Sequence, residues 1–202
     1  MPRVVSGYHA VCGRDAPTRR DTYTTGIAPY NFQMKFHPTT LSGVWRIELE
    51  PRLDERGFLT RTYCEREFAA QGLNTRWPQC NVTRTNRRGI MRGLHYQTDP
   101  HPEIKLVRCT AGKIWDVVAD VRTGQWEGFE LSGDAPFQLY VPAGYAHGFQ
   151  CLTNNCELFY QMSDFYMPEW QRGLRWNDAK LAIRWPISPA ELSERDRNFP
   201  LL

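Results

Sequence analysis

The stretch Lys105-Leu-Val-Arg-Cys-Thr-Ala-Gly-Lys-Ile-Trp-Asp-Val-Val-Ala-Asp-Val121 contains two apolar runs on either side of the turn residues Ala111-Gly112. Short runs of this kind around a glycine turn are typical of consecutive β-strands. Similar runs predict strands over residues 43–50, 59–63, 81–84, 90–96, 128–131, 138–141, 147–152 and 157–163. Because many short strands at close spacing favour packed sheets, the sequence predicts a mainly β protein, a sandwich or jelly roll.

Two short helices are predicted beside these strands. Residues 65–71 have a helical pattern that ends at Gly72, a residue that readily adopts the positive φ of a helix end. Ser188-Pro189-Ala190-Glu191 has the spacing of a capping box with proline at the first helical position, which predicts a helix over residues 189–196. Residues 1–33 are polar and lack periodicity, so we expect a flexible N-terminal extension before a single domain over residues 34–202.

Composition and charge argue against several classes of protein. The net charge is only +3, with basic residues spread among acidic ones, so we expect no nucleic-acid partner. No apolar run approaches the roughly 18 residues that a membrane helix needs, and the first residues lack the apolar centre of a secretory signal. The six cysteines form no Cys-x-x-Cys pair, so we expect reduced thiols in a cytoplasmic protein.

Three predicted strands carry side chains that suit proton transfer. In Arg92-Gly-Leu-His95, the arginine can hold a phosphate and the histidine can move a proton near neutral pH. By alternation, Lys105 shares the face of core residues and points inward, where an ammonium is costly unless it is paired or serves an anion. Tyr160 also points inward, although a buried tyrosine is more often structural than a proton donor.

A metal site is the alternative that the next motif raises. Pro142-Ala-Gly-Tyr-Ala-His147 fits the second motif of the cupin jelly rolls, in which the histidine often binds a metal. A metal cupin also needs a His-x-His pair and a glutamate on the earlier motif, and the stretch after His95 does not reproduce that spacing. We therefore expect no metal and no cofactor. A metal-dependent cupin enzyme would use His95, His101, Glu103 and His147.

Eight motifs follow one another from about Met34 to the C-terminus. They are Arg92-Gly-Leu-His-Tyr-Gln97, Lys105-Leu-Val-Arg-Cys109, Asp116-Val-Val-Ala-Asp-Val-Arg122, Pro142 to Phe149, Glu157-Leu-Phe-Tyr160, Gly173-Leu-Arg-Trp-Asn-Asp178, Ala182-Ile-Arg-Trp-Pro186 and Leu192-Ser-Glu-Arg-Asp196. Together, and in this order, they resemble the dTDP-4-dehydrorhamnose 3,5-epimerase family. The resemblance covers everything except the N-terminal extension.

The resemblance implies a homodimeric, cupin-like jelly roll that acts on a nucleotide sugar, a dTDP-linked 4-keto-6-deoxy sugar. His95 would remove the proton next to the ketone, and Asp196 would orient its imidazole. Lys105 would stabilise the enolate oxygen, and Tyr160 would return a proton from the opposite face. A base, an oxyanion stabiliser and an acid are what such an epimerisation requires, and no cofactor is needed for them. The residues implied to contact the nucleotide sugar are Arg56, Phe58, Gln79, Asn81, Arg92, His147, Tyr166 and Arg195.

Three departures from the family pattern leave the substrate open. Arg61 and Gln171 stand where the family commonly has glutamates, and the segment after Arg122 is shorter than usual. Epimerisation at one carbon, C3 alone or C5 alone, instead of at both, is therefore an alternative. A 3,4-ketoisomerase is another, because it also begins by removing a proton at C3. A binding module for sugar nucleotides without activity is the third.

Overall fold

A computed structural model describes residues 33–202, which form two antiparallel β-sheets and a separate hairpin. The six-stranded sheet contains, in spatial order, β1 (Lys35–Pro38), β2 (Trp45–Glu48), β10 (Phe137–Val141), β7 (Lys105–Ala111), β12 (Cys156–Met162) and β5 (Gln79–Thr85). The five-stranded sheet contains β13 (Gln171–Gly173), β6 (Met91–Gln97), β11 (Tyr145–Cys151), β8 (Lys113–Asp120) and β9 (Trp126–Ser132). β3 (Arg52–Asp54) and β4 (Gly57–Leu59) form the hairpin. The predicted mainly β fold is confirmed.

The main core lies between the two sheets. Val107 and Leu158 of the six-stranded sheet are buried in one apolar cluster with Ile114 and Val118 of the five-stranded sheet. In β7 and β12, alternate side chains point into this cluster because successive residues of a strand face opposite sides of the sheet. The same alternation directs Lys105 and Tyr160 to the inner face, as predicted, so both contribute to the space between the sheets.

The outer face of each sheet is also covered. The helix α1 (Glu65–Ala70) lies against the six-stranded sheet through Phe68, which is fully buried and packs against the rings of Tyr63, Trp77 and Tyr140. The C-terminal segment covers the five-stranded sheet with an apolar cluster that includes Leu174 and Leu181. The chain then runs beside β6, where the Met91 N–H donates to the Glu191 carbonyl, and continues into the second helix, α2 (Glu194–Arg197). The helix α1 confirms the predicted helix over residues 65–71.

The predicted helix over residues 189–196 is wrong in most of its length. Residues 188–193 are not helical, because Glu191 pairs with Ile90 in a parallel bridge and Ala190 donates its N–H to the Gly89 carbonyl. The backbone hydrogen bonds of this segment are thus made with the sheet, which outweighs the local capping signal. The true N-cap is Ser193, whose side chain accepts the Asp196 N–H at 3.1 Å.

Other differences concern short edges of the fold. The predicted strand over residues 59–63 is replaced by β4, which ends at Leu59. Beyond it, the Thr62 carbonyl accepts a side-chain hydrogen bond from Gln138 and the Tyr63 ring packs on Phe68, so side-chain contacts take the place of a strand ladder. Three short strands, β1, β3 and β13, were not predicted. The predicted N-terminal extension lies, apart from Gln33, outside the described residues. Within residues 33–202, no helix has the length and apolar character needed to cross a bilayer.

Candidate active site

A cavity of about 700 Å³ lies between the two sheets and is closed on one side by the segment around α2. Strands β5, β7 and β12 of one sheet and β6 and β11 of the other line it. The polar and charged lining residues are Gln79, Asn81, Thr83, Arg92, His95, Glu103, Lys105, His147, Tyr160, Tyr166, Gln171, Glu191, Ser193, Arg195 and Asp196. The cavity therefore contains all four predicted catalytic residues.

His95 is held by a carboxylate from a distant part of the chain. Its Nε2 lies 2.8 Å from Asp196 Oδ1, while Asp196 Oδ2 accepts the backbone N–H of Gly93 at 3.1 Å. The Ser193 cap fixes the first turn of α2 and so fixes the backbone of Asp196. Because Nε2 donates to the carboxylate, Nδ1 is the nitrogen left as a proton acceptor. Within the part of the chain that the structure describes, Nδ1 has no hydrogen-bond partner.

The electrostatics of this pair favour a neutral ring beside an ionised carboxylate. Burial lowers the pKa of His95, and this effect outweighs the raising effect of its hydrogen bond to Asp196. Burial alone would raise the pKa of Asp196. However, the hydrogen bonds from the His95 ring and from the Gly93 N–H bring the pKa of this carboxyl below its usual range. At neutral pH His95 is therefore able to accept a proton.

Lys105 enters the same cavity from the opposite sheet. Its Nζ lies 2.7 Å from Glu103 Oε1 and donates to the backbone carbonyl of His95 at 3.1 Å. The inward position predicted from alternation is confirmed, since the residue is only 7% exposed. The hydrogen bond from Lys105 Nζ to the His95 carbonyl joins the two sheets, so the ammonium lies close to His95.

Tyr160 approaches from the same sheet as Lys105, on β12. Its ring packs against the main core, and its hydroxyl oxygen accepts from the Thr83 hydroxyl at 3.4 Å, a long and therefore weak hydrogen bond. Because His95 belongs to β6 of the other sheet, the two side chains reach the cavity from opposite walls. A ring bound between them would present one face to each.

Six of the eight predicted substrate contacts also line the cavity, namely Gln79, Asn81, Arg92, His147, Tyr166 and Arg195. Arg92 donates through Nε to the Thr85 hydroxyl at 3.0 Å. His147 is held by Asp116, whose two oxygens lie 3.0 and 2.9 Å from its Nε2. The sequence therefore identified most of the polar lining.

Arg56 and Phe58 are not in the cavity of their own chain. Both belong to the β3–β4 hairpin, where the Arg56 side chain is 84% exposed and pairs with Asp54, and Phe58 is 61% exposed. Within one chain, Arg56 and Phe58 are therefore not brought together with Arg92 and the other predicted substrate contacts. The physical reason is that the hairpin forms a two-stranded sheet of its own and is not hydrogen-bonded into either of the sheets that enclose the cavity.

The four candidate metal ligands each have another partner. His95 is bound to Asp196, His147 to Asp116, His101 to Asp164 and Glu103 to Lys105. Among residues 33–202, no three His, Cys, Asp or Glu side chains are grouped as a metal site would require. The geometry thus favours histidines that are hydrogen-bonded to carboxylates over the arrangement of the metal alternative.

Two carboxylates that bind side chains of the cavity were not among the predicted site residues in this role. Asp116 is fully buried behind His147, and Glu103, considered only as a metal ligand, pairs with Lys105. Asp116 could have been found, because a carboxylate in the apolar run from Ile114 to Val121 must be paired if it points inward. Glu103 could also have been found, because it lies two residues before Lys105 and side chains at i and i+2 of an extended segment share a face.

The two residues that stand in place of the family's glutamates, Arg61 and Gln171, lie in different surroundings. Arg61 lies outside the cavity lining and forms an ion pair with Glu67 at 2.9 Å. Gln171 lines the cavity, and its Oε1 accepts hydrogen bonds from the Tyr166 hydroxyl and from Arg195, each at 2.7 Å. Gln171 thus organises two predicted substrate contacts, whereas Arg61 lies outside the cavity lining.

Comparison with known proteins agrees with this arrangement. Residues 38–202 match the family described as dTDP-4-dehydrorhamnose 3,5-epimerase. The chain is 43% identical over 160 residues to the enzyme of that name from Pseudomonas aeruginosa, covering 75% of this chain and 87% of that one. It is 35% identical over 175 residues to a dTDP-4-dehydrorhamnose 3-epimerase from Streptomyces niveus, covering 84% of each.

The crystal structure of dTDP-4-dehydrorhamnose 3,5-epimerase from Bacillus anthracis, with TDP and PPi bound, matches with a TM-score of 0.81 and 36% identity. The match covers 84% of this chain and 100% of that one. The cupin-like jelly roll predicted from the sequence is therefore confirmed, and so is the prediction of an isomerase. The chain belongs to the dTDP-4-dehydrorhamnose 3,5-epimerase family.

Proposed function

We propose that the protein epimerises a dTDP-linked 4-keto-6-deoxy sugar at C3, C5 or both. The observation that carries this proposal is a neutral, carboxylate-backed imidazole facing a phenol across one cavity, with an ammonium beside them. Removing a proton from the carbon next to a ketone needs a base and a stabiliser for the enolate oxygen, and inversion needs an acid on the other face. His95, Lys105 and Tyr160 supply these groups.

In the proposed reaction, Nδ1 of His95 removes the proton from the carbon next to the ketone, and the electron pair moves onto the carbonyl oxygen. The Lys105 ammonium stabilises the negative charge on that oxygen. The Tyr160 hydroxyl then delivers a proton to the opposite face of the carbon, which inverts the centre. Exchange with solvent afterwards returns His95 to its neutral form and Tyr160 to its protonated form.

The nucleotide is proposed to occupy the open side of the cavity. Arg92 and Arg195 carry the positive charge that a diphosphate requires, and arginine binds phosphate oxygens in a bidentate manner. His147, fixed by Asp116, lines the same cavity. Tyr166 is 43% exposed at the edge of the cavity, where its ring is available to a planar base. The bound TDP of the Bacillus anthracis relative supports the choice of nucleotide.

The proposed enzyme is a cytoplasmic homodimer whose hairpins are exchanged between protomers. Arg56 and Phe58 are exposed in one chain, beside Leu53 and Leu59, which are 80% and 62% exposed. Burial of these apolar side chains against a second copy would stabilise a dimer and bring Arg56 to the partner's cavity. All five described cysteines are free thiols, which suits a reducing compartment.

The test of activity is solvent exchange. With dTDP-4-keto-6-deoxy-D-glucose in heavy water, NMR should show deuterium entering at C3, at C5 or at both, and His95→Ala should abolish the exchange while preserving the circular-dichroism spectrum. No exchange with this sugar or a related 4-keto-6-deoxy nucleotide sugar would refute the proposal. Product analysis separates the alternatives, because a 3,4-ketoisomerase moves the ketone to C3, whereas an epimerase leaves it at C4.

The test of hairpin exchange is complementation. Arg56→Ala and His95→Ala homodimers should each be inactive or nearly so. Mixed dimers should recover one complete site, with Arg56 from one protomer and His95 from the other. Light scattering should give a mass near twice 23.6 kDa. A fully active monomer, or mixtures with no more activity than the separate variants, would contradict the proposal.

A further inference from the structure

We propose that Glu103 is a positioning residue that fixes the Lys105 ammonium at the reacting end of the cavity. The inference rests on the proposed function, since it concerns the group that stabilises the enolate oxygen. Glu103 itself is not expected to touch the reacting carbon. The role of Glu103 is to determine where the Lys105 charge lies and which N–H bond of the Lys105 ammonium is left for the substrate.

The geometry of the pair leaves one donor free for a ligand. Lys105 Nζ is 2.7 Å from Glu103 Oε1, and the two side chains are only 9% and 7% exposed. Nζ also donates to the His95 carbonyl at 3.1 Å. Because an ammonium has three N–H bonds, these two acceptors define the direction of the third. Both Lys105 and Glu103 line the cavity, so that direction can be used by a bound oxygen.

A purely structural role gives a poor account of this pair. A buried ion pair has a large desolvation cost, and apolar side chains of similar size often stabilise a fold as well or better. Glu103 and Lys105 are separated by one residue, so their contact joins no distant parts of the chain. A contact of this kind restricts a single side chain. Its benefit is that the rotamer entropy of a flexible lysine is already lost before the substrate binds.

The pair also affects the proposed base. The positive charge of Lys105 contributes to lowering the pKa of His95, although burial is the larger cause. The other charged groups close to His95 are Asp196, which raises this pKa, and Arg195, which lowers it. Glu103 partly offsets the charge of Lys105. Loss of the Glu103 charge should therefore make His95 harder to protonate, so that it remains an active base at lower pH.

Glu103→Gln is the first test, because it keeps the size and an acceptor oxygen but removes the charge. In the full-length chain with dTDP-4-keto-6-deoxy-D-glucose, kcat should fall about 10- to 100-fold while KM changes less than about threefold. The acid limb of the kcat/KM profile should move to lower pH. Glu130→Gln is the matched control. It also removes a carboxylate from a lysine pair, at 2.9 Å from Lys113, but on the exposed part of β9.

Glu103→Asp is the second test, because it keeps the charge and withdraws it by one methylene. Its acid limb should coincide with that of the wild type, whereas its kcat should remain reduced because Nζ is displaced. Wild-type kcat in both variants would overturn the inference. A loss of kcat that is accompanied by an equal weakening of dTDP binding, or by a lower melting temperature, would also overturn it. If the wild-type protein itself gives no deuterium exchange, the proposed function fails. That result is distinct from wild-type kcat in the Glu103 variants, which overturns only the inference about Glu103.

Discussion

At the scale of the residue, the decisive feature is which nitrogen of His95 carries the proton. Asp196 fixes this by accepting from Nε2 with one oxygen and from the Gly93 N–H with the other. Both oxygens act as acceptors, so a neutral amide cannot reproduce the arrangement. The carboxylate comes from a residue 101 positions further along the chain, and the Ser193 cap holds it in place.

Asp196→Asn should therefore reduce kcat about 10²- to 10⁴-fold, with little change in melting temperature. The amide nitrogen would donate to Nε2, which moves the ring proton to Nδ1 and removes the acceptor. Deuterium incorporation in single-turnover experiments measures the effect, and ¹⁵N NMR of the histidine ring reports the tautomer. An Asp196→Asn variant that exchanges at the wild-type rate would show that the carboxylate is not required.

The pH dependence should follow from the lowered pKa of His95. The ring is an active base only when neutral, so kcat/KM should be constant around pH 7 and should fall as the pH drops through a value below the ordinary 6.5 of histidine. NMR titration of the His95 ring in the free protein should give the same midpoint. A midpoint above 6.5 would contradict the conclusion that burial outweighs the carboxylate.

At the scale of the element, the strands of the inner core could be predicted and the edges could not. β7, β8 and β12 have strong apolar patterns, so local sequence located them within a residue or two. The C-terminal segment carried a good local capping signal, but its backbone hydrogen bonds go to Gly89 and Met91 instead. β13 has only three residues and no alternation to detect. Long-range pairing, which local sequence does not encode, decided both cases.

The close approach of β6 and β11 gives a prediction at this scale. Gly93 has a φ of +125°, and a Cβ there would lie 2.5 Å from Gly148 Cα and 2.9 Å from the His147 carbonyl. Gly93→Ala should therefore destabilise the protein by about 3 kcal/mol or more. Gly144→Ala is the control, since it also has a positive φ, of +84°, but meets no atom within 4 Å. It should cost only about 1–2 kcal/mol.

Urea unfolding monitored by tryptophan fluorescence measures both variants. Similar stabilities for Gly93→Ala and Gly144→Ala would show that β11 moves aside easily. In that case the spacing of the two histidine-bearing strands would be less rigid than the backbone contacts imply.

At the scale of the whole molecule, the fold class could be predicted from strand patterns, whereas the convergence of the four candidate catalytic residues could be predicted only from the resemblance to a family. His95, Lys105, Tyr160 and Asp196 are spread over a hundred residues, and only the pairing of sheets brings them to one cavity. Their grouping was inferred from resemblance and not from spacing. Arg56 and the rest of the β3–β4 hairpin lie outside the cavity of their own chain, so the predicted contact of Arg56 with the substrate requires a second copy of the chain.

The proposed domain boundary gives a prediction at this scale. A chain that begins at Met34 should fold and exchange deuterium at the wild-type rate, because the strands and the cavity lie within the described residues. Circular dichroism and the exchange assay on this shortened chain test the prediction. Its control is a chain that begins at Ile47, which lacks β1 and half of β2 and should not fold. Loss of activity on removal of residues 1–33 alone would assign them a role in the site.

The placement of His95 and Tyr160 on different sheets has a consequence for the role of the core. The separation of these two side chains depends on how far apart the sheets are held, to which buried side chains such as Val107 and Val118 contribute. Neither of these valines lines the cavity, so substitutions there would alter the spacing of the sheets without replacing a residue of the cavity wall. Under the proposed function, the geometry of proton transfer therefore depends on the volumes of core side chains as well as on the residues that line the cavity.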